Sequence, residues 1–282
     1  MSGQVSGGMP AVSVVMAVYN AAPWLVEAVD SVLGQTFGDF ELIAIDDGSV
    51  DATPAILKNY RDPRLRVITQ RQSGQTPALN HGLRVARGPL IARMDGDDVC
   101  LPERFAQQVD FLKAHPEVGL LGTACREISA SGAVLHTITP PSDDRALRRV
   151  LIRMNPFTHS SMMFRRSVLE EIGWYDERFI VAQDYDLWLR MSRRTRLASL
   201  EEPLVLRRLA PGQLSSARDT TRIRDEVAAK LKALRSGAYP AWCAIFLAKP
   251  VCALALPLPL RRALRRVIGR IGSGVGYGSC AF

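Results

Sequence analysis

Apolar and polar positions fall into two periods along the first half of the chain. "AVSVVMAV" (11–18) is a valine-rich run with almost no polar break, as expected of a strand buried on both faces. "APWLVEAVDSVLGQ" (22–35) instead sets Trp24, Leu25, Ala28, Val29 and Val32 at helical spacing. The alternation repeats. "FELIAID" (40–46), "LRVIT" (65–69) and "PLIARM" (89–94) read as strands, and "DATPAILKNY" (51–60) and "TPALNHGLRVA" (76–86) as helices. Asp51 opens the first of these helices as a helix cap, and Gly88 follows the end of the second. Strands alternating with helices of about three turns predict an α/β fold, a Rossmann-like, doubly wound and mostly parallel sheet with helices on both faces.

The alternation loosens after a helix over 101–115. Residues 118–138 read as a hairpin around "SASG". "HSSMMFRRSVLEEIG" (159–173) is a strand and then a helix stopped by Gly173. "QDYDLWLRMSRR" (183–194) is an amphipathic helix with Leu187, Trp188 and Met191 inward, and "RLASL" and "PLVLRRL" are late strands. The expected organisation is a flexible leader (1–10), a main domain (11–215), and a C-terminal polar, basic helix with an apolar and basic tail (216–282).

Charge sharpens that division. Of the 36 Lys and Arg, nine follow the last acidic residue, Glu226, which leaves 27 against 28 acidic residues before it. The body is near neutral and the tail basic. That distribution speaks against nucleic acid, whose binders carry basic stripes on the folded body. "WCAIFLAKPVCALALPLPL" (242–260) is apolar except for Lys249 and its prolines, and "RRALRRVIGRIG" (261–272) is basic and amphipathic. Together they predict attachment to an anionic membrane surface, peripheral or re-entrant, because three prolines and a central lysine disfavour a spanning helix. Five cysteines without a CxxC, and no signal peptide in "MSGQVSGGMP", predict a reducing, cytoplasmic setting on the inner face of the membrane.

The chemistry lies where strands end. "YN" (19–20), "DDGS" (46–49) and "DGDD" (95–98) each follow the C-terminal end of a strand, the edge at which such sheets bind ligands. Three carboxylates in four residues (Asp95, Asp97 and Asp98) raise one another's pKa unless a cation compensates. Asp98 is expected to cap the helix that follows. Asp95 and Asp97 form an Asp-x-Asp pair suited to Mg²⁺ or Mn²⁺, with substrate phosphates completing the coordination shell. Asp46 and Asp47 exceed what a turn requires, and Tyr19 can lay its ring on a base.

The blocks "VSVVMAVYNAAPWLVEAVDSVLGQTF", "LIAIDDGSVDAT", "SGQTPALNHGL", "GPLIARMDGDD", "HSSMMFRRSVLEEIGWYDERF" and "QDYDLWLRM" occur in that order. They resemble the family-2 glycosyltransferases with the GT-A fold over residues 11–208. The resemblance implies nucleotide-sugar contacts at Ala17, Tyr19, Asp47 and Asp95. It implies a metal at Asp97, with Asp95 beside it, and a catalytic carboxylate at Asp184. Asp186 would take that role if the register shifts by two. The family has Glu before the catalytic Asp, whereas this chain has Gln183, which keeps size and hydrogen bonding but drops a charge. His159, Trp174 and Gln183, with Tyr175, mark a candidate acceptor side.

These residues imply an inverting transferase. A divalent cation stabilises the departing diphosphate while Asp184 removes the proton of an acceptor hydroxyl. The donor is then a nucleotide diphosphate sugar and the acceptor a sugar or lipid-linked sugar, in polysaccharide or glycolipid assembly. Two alternatives stand beside it. A sugar-phosphate nucleotidyltransferase would carry a Gly-rich basic loop after the first strand, where "VYNAAPW" stands instead. A non-catalytic sugar-nucleotide-binding partner would lack Asp184 or the Asp-x-Asp pair.

Overall fold

The computed structural model describes residues 8–210 and 219–255. The expected leader, the domain limit at residue 215 and the basic stretch 261–272 fall wholly or largely outside these residues.

One mixed sheet carries the fold. Its first half is the parallel set that periodicity predicts: β3 (Leu65–Thr69), β2 (Phe40–Asp46), β1 (Val12–Val18) and β4 (Leu90–Arg93), adjacent in that order. Side chains of β1 alternate between two cores. Val12, Val14, Met16 and Val18 pack with helix α1 (Ala22–Leu33), whereas Val15 joins helix α3 (Gln75–Val85) on the other face. Helix α2 (Thr53–Asn59) lies on the α1 side through Leu57.

The second half departs from a parallel sheet. β8 (Met163–Arg165) runs antiparallel to both neighbours, β4 and β6 (Val118–Ser129). The predicted hairpin forms between β6 and β7 (Val134–Ile138). The two late strands are one, β9 (Arg196–Leu209), parallel to β6. Its register slips between Thr123 and Ala124, the latter opposite Pro203, so the proline sits at an irregularity where a ladder donor is not required. β9 continues to β5 (Val99–Cys100), which pairs antiparallel with Val205 and Leu206.

Two expected caps are absent. Helix α4 (Arg104–Ala114) starts at Glu103 with no side-chain cap, and Asp98 is buried elsewhere. The N-cap of α2 is Ala52. Asp51 instead accepts from the N–H groups of Thr53 (2.9 Å) and Ala22 (3.1 Å), tying two loops together.

Helix α5 (Asp144–Leu151) and helix α6 (Arg166–Ile172) cover the α3 face, and Gly173 ends α6 at φ +84°. Helix α7 (Gln183–Met191) is less amphipathic than expected. Tyr185, Asp186 and Leu189 are buried as well as Leu187, Trp188 and Met191. The reason is helix α8 (Asp219–Arg235), which lies over α7 and brings Ala229 and Ala233 into the same core as Trp188. Lys230, 1% exposed, is held there by Glu226 (2.7 Å) and the Arg153 carbonyl (2.7 Å). A 3-10 turn (Ala241–Leu247) and helix α9 (Ala248–Ala255) follow, with Trp242, Ile245 and Val251 exposed. Among the described residues no helix is long and apolar enough to cross a membrane.

Glu41, buried under the N-terminal edge of the sheet, gives a local test of this packing. Burial alone would raise its pKa. The hydrogen bonds from Ser13 Oγ (2.7 Å), the Arg87 N–H (2.9 Å) and Arg66 (3.0 Å) outweigh it and hold the carboxyl below its usual value. A depressed carboxylate adds stability above its unfolded-state pKa and loses it as pH falls through the folded-state value. Glu41→Gln should therefore cost about 1–3 kcal/mol at pH 7. The gap from wild type should close on acidification, read by urea unfolding at pH 7 and pH 4.

Candidate active site

Three loops meet at the C-terminal edge of β1, β2 and β4. The first two are stitched together. Asn20, at φ +50°, receives a bond from the Val50 N–H (2.9 Å), and its own N–H donates to Ser49 Oγ (2.9 Å). Asp46 turns the same loop by accepting from the Ser49 N–H at 3.0 Å, leaving its other oxygen buried without a partner. Gly48 sits at φ +75°, and a Cβ there would lie 2.8 Å from the Gln72 nitrogen, so the "DDGS" turn requires glycine twice over.

Asp47 organises the neighbouring loop. Its Oδ1 accepts from Gln70 Nε2 (2.8 Å), the Ser73 N–H (2.9 Å) and Ser73 Oγ (3.0 Å), and its Oδ2 from the Gly74 N–H (2.7 Å). These bonds fix residues 70–74 and the start of α3. Ala17 lies at the end of β1, partly buried, and Tyr19 just beyond it is 45% exposed. That places a solvent-facing ring beside the Asp47 loop.

The acidic loop is held from two sides. Gly96 brings it onto β1: a Cβ there would lie 2.7 Å from a Val18 methyl. Arg93, 1% exposed at the end of β4, pairs with Asp95. Burial would raise the Asp95 pKa, but the Arg93 charge and the nearby His159, with the hydrogen bonds from Arg93 and Ser160, together outweigh it and hold the carboxyl low. Arg208, near the end of β9, grips the other end. Its N–H donates to Asp98 (2.8 Å), its Nε to the Asp97 carbonyl (3.0 Å), and its guanidinium pairs with Glu27 on α1.

Asp98 is therefore no cap. Burial, with the nearby charges of Asp97 and Asp95, pushes its carboxyl up to about 8. Ser160 Oγ contacts both Asp98 and Asp95 (3.0 Å) and accepts from the Asp95 N–H (3.1 Å). One hydroxyl carries one proton. Ser160 Oγ is thus placed to donate to either carboxylate but to only one at a time. Asp95, held low by these partners, is separated from Asp97 by one residue in the same loop.

Those two carboxylates fit a hard divalent ion that draws the rest of its shell from phosphate. Among the described residues no three His, Cys, Asp or Glu side chains form a cage of their own.

Asp184 lies across the site at the start of α7. It accepts from Asn155 Nδ2 (2.8 Å) and the Tyr185 N–H (2.7 Å), and burial pushes its carboxyl up to about 6. Asp186 is committed elsewhere, in ion pairs with Arg190 and Lys232, both at 2.8 Å. Gln183 donates to Gln75 Oε1 (3.0 Å), and Gln75 donates in turn to Asp95 Oδ1 (3.3 Å). His159 is neutral: burial and then the Arg93 charge lower its pKa well below the usual range. Its Nε2 lies 2.8 Å from Tyr175 Oη and its ring stands edge-on to Trp188. Trp174 packs against the core, with its carbonyl bound by Arg190 (2.7 Å).

Arg93, Arg208, Ser160, Asn155 and Gln75 carry this geometry and were not singled out from the sequence. Arg93 alone left a trace there, as the one charge in an otherwise apolar strand.

Comparison with known proteins decides the family. The family model described as glycosyl transferase family 2 matches residues 13–173. The chain belongs to glycosyltransferase family 2. The match spans the loops at Tyr19, Asp47 and Asp95 and ends before Asp184. The chain is 35% identical over 191 residues to the putative glycosyltransferase EpsE of Bacillus subtilis, covering 64% of this chain and 66% of EpsE, just under two thirds of that relative's length. It is 31% identical over 221 residues to the amylovoran biosynthesis glycosyltransferase AmsE of Erwinia amylovora, covering 76% and 82%. Among solved structures, S. aureus TarS 1–349 in complex with UDP-GlcNAc superposes with a TM-score of 0.69 at 19% identity, covering 92% of this chain and 80% of TarS. The mannosyltransferase PcManGT of Pyrobaculum calidifontis, in complex with GDP-Man and Mn²⁺, gives 0.63 at 22%, covering 98% and 79%. These structural likenesses establish the fold. Family-2 membership sets aside the nucleotidyltransferase alternative.

Proposed function

We propose that this family-2 chain is an inverting transferase. It moves a sugar from a nucleotide diphosphate sugar to an acceptor hydroxyl, with Asp184 as general base. The observation that carries the reading is the pairing of two unlike acidic centres across one cleft. Asp95, held below the usual carboxylate range, lies beside Asp97 at the sheet edge, and Asp184, raised to about 6, opens α7 next to the Gln183 that reaches Asp95 through Gln75. A carboxyl near 6 is ionised at neutral pH yet basic enough to take a proton as the acceptor oxygen attacks.

Tyr19, Ala17 and Asp47 would receive the base and ribose. Asp47 has its backbone and loop fixed before any ligand arrives, which lowers the ordering cost of binding. Asp97, with Asp95 beside it, would hold Mn²⁺ or Mg²⁺. That ion supplies compensation for charge developing on the departing diphosphate. The Mn²⁺ in PcManGT and the UDP-GlcNAc in TarS support a nucleotide-sugar donor with a divalent ion. A neutral His159 would orient Tyr175 and the acceptor side without adding charge near Asp184.

Relatives such as AmsE support a role in surface polysaccharide assembly. A lipid-linked acceptor would be met at a membrane surface. The segment 241–255 has one charged residue, Lys249, and leaves Trp242 and Ile245 each 68% exposed, and the arginines from Arg261 to Arg270 follow in sequence. We place the enzyme peripherally on the inner face of the cytoplasmic membrane through this region.

Asp184→Asn should lower turnover by about 10²–10⁴-fold while leaving nucleotide affinity within a few-fold, measured by product formation and calorimetry. The wild-type rate should rise through pH 6 as Asp184 ionises. A raised carboxyl loses its contribution to stability as pH climbs past its folded value. Asp184→Asn should therefore melt no lower than wild type at pH 8, and a lower melting point there would assign the lost rate to misfolding. Asp97→Ala should abolish Mn²⁺-dependent nucleotide binding in the same calorimeter. The full chain should float with vesicles containing phosphatidylglycerol and not with pure phosphatidylcholine, and Trp242→Ser with Ile245→Ser should weaken flotation.

A further inference from the structure

Gln183, Gln75 and Asp95 form a chain whose direction the chemistry dictates. An ionised carboxylate only accepts, so Gln75 must turn its NH₂ toward Asp95 Oδ1, at 3.3 Å. Its carbonyl oxygen then faces the other way and needs a donor. Gln183 Nε2 supplies it at 3.0 Å. Gln183 is 3% exposed, and its Oε1 is left buried without a partner. An unpartnered buried amide oxygen costs on the order of 1–3 kcal/mol. The Gln183 amide holds its orientation despite that cost because only its NH₂ can complete the chain.

The chain crosses the cleft. Gln183 opens α7 next to Asp184, Gln75 opens α3 just after the loop bound by Asp47, and Asp95 begins the acidic loop. The Asp95 carboxylate thus has donors from three places, Arg93 on β4, Gln75 on α3 and Ser160 from the turn before β8, and Gln183 on α7 holds the Gln75 amide in turn. A glutamate at 183 could not donate to Gln75. If Gln75 flipped to accommodate it, two oxygens would face each other at Asp95. The chain needs a donor at 183 and a group that both donates and accepts at 75.

We propose that Gln183 and Gln75 are positioning residues that couple the acceptor-side helix to the donor-side carboxylate, so that a change at α7 is felt in metal–nucleotide binding. This rests on the transferase reading above. Coupling of this kind is reciprocal: whatever α7 does to Asp95, occupancy at Asp95 does to α7 and to the Asp184 beside it.

The experiment is a double-mutant cycle in the full chain. Gln75→Met and Gln183→Met keep side-chain length and remove the amides. Binding of UDP and of GDP, each with Mn²⁺, is measured by calorimetry for wild type, both single variants and the double. Melting temperature is followed in parallel. Each single variant should weaken metal-dependent nucleotide binding by about 5–20-fold, and the double should lose no more than the weaker single. Gln183→Glu, which restores polarity but not donation, should fail to rescue. Wild-type affinity in Gln183→Met, losses that multiply in the double, or rescue by Glu would each overturn the coupling. A loss that follows the melting temperature and appears equally without Mn²⁺ would overturn it too, because it would report packing alone. Wild-type protein that binds neither nucleotide with Mn²⁺ would instead overturn the transferase reading and the coupling with it.

Discussion

Everything at the ligand edge depends on keeping three neighbouring carboxylates beside a dry sheet. Their repulsion is met by two buried arginines and by the enclosure of Asp98. Arg93 rises from below and neutralises Asp95. Arg208 arrives from the far strand and fixes the backbone of Asp97 and one oxygen of Asp98. Asp98 is the most enclosed of the three, and burial with its neighbours' charges pushes its carboxyl up.

The same economy shapes the opposite wall. Asp184 and Asp186 are two residues apart on one helix yet have opposite fates. Asp186 sits between Arg190 and Lys232 and serves to bind α7 to α8. Asp184 has only an amide and a backbone N–H for partners, so burial raises its pKa. The neighbourhood, not the residue type, separates a structural carboxylate from one able to exchange a proton.

How much of this was readable in advance follows from the range of the forces involved. The parallel strands β1 to β4 and their helices are governed by local periodicity, and the pattern placed them within a residue or two. The polar clusters were legible because strand ends are where such sheets bind. Asp98 was misread because its partners, Ser160 and Arg208, lie 62 and 110 residues away, and local pattern favours a cap. The burial of α7 was underestimated for the same reason: α8, which covers it, looks polar and basic in isolation. Arg208 sits in "LVLRRL", where two adjacent arginines read as ordinary strand-edge charges.

The long strand β9 has a consequence for how the molecule is made. The sheet edge that presents Tyr19, Asp47 and Asp95 is built from the first hundred residues and can fold as they leave the ribosome. Arg208 reaches Glu27 across 181 positions of sequence, so the acidic loop stays unclamped until nearly all of the sheet has been synthesised. An unfinished chain therefore has the outline of the three-loop edge without the Arg208 clamp on its acidic loop. Competence arrives late in synthesis, with the last strand.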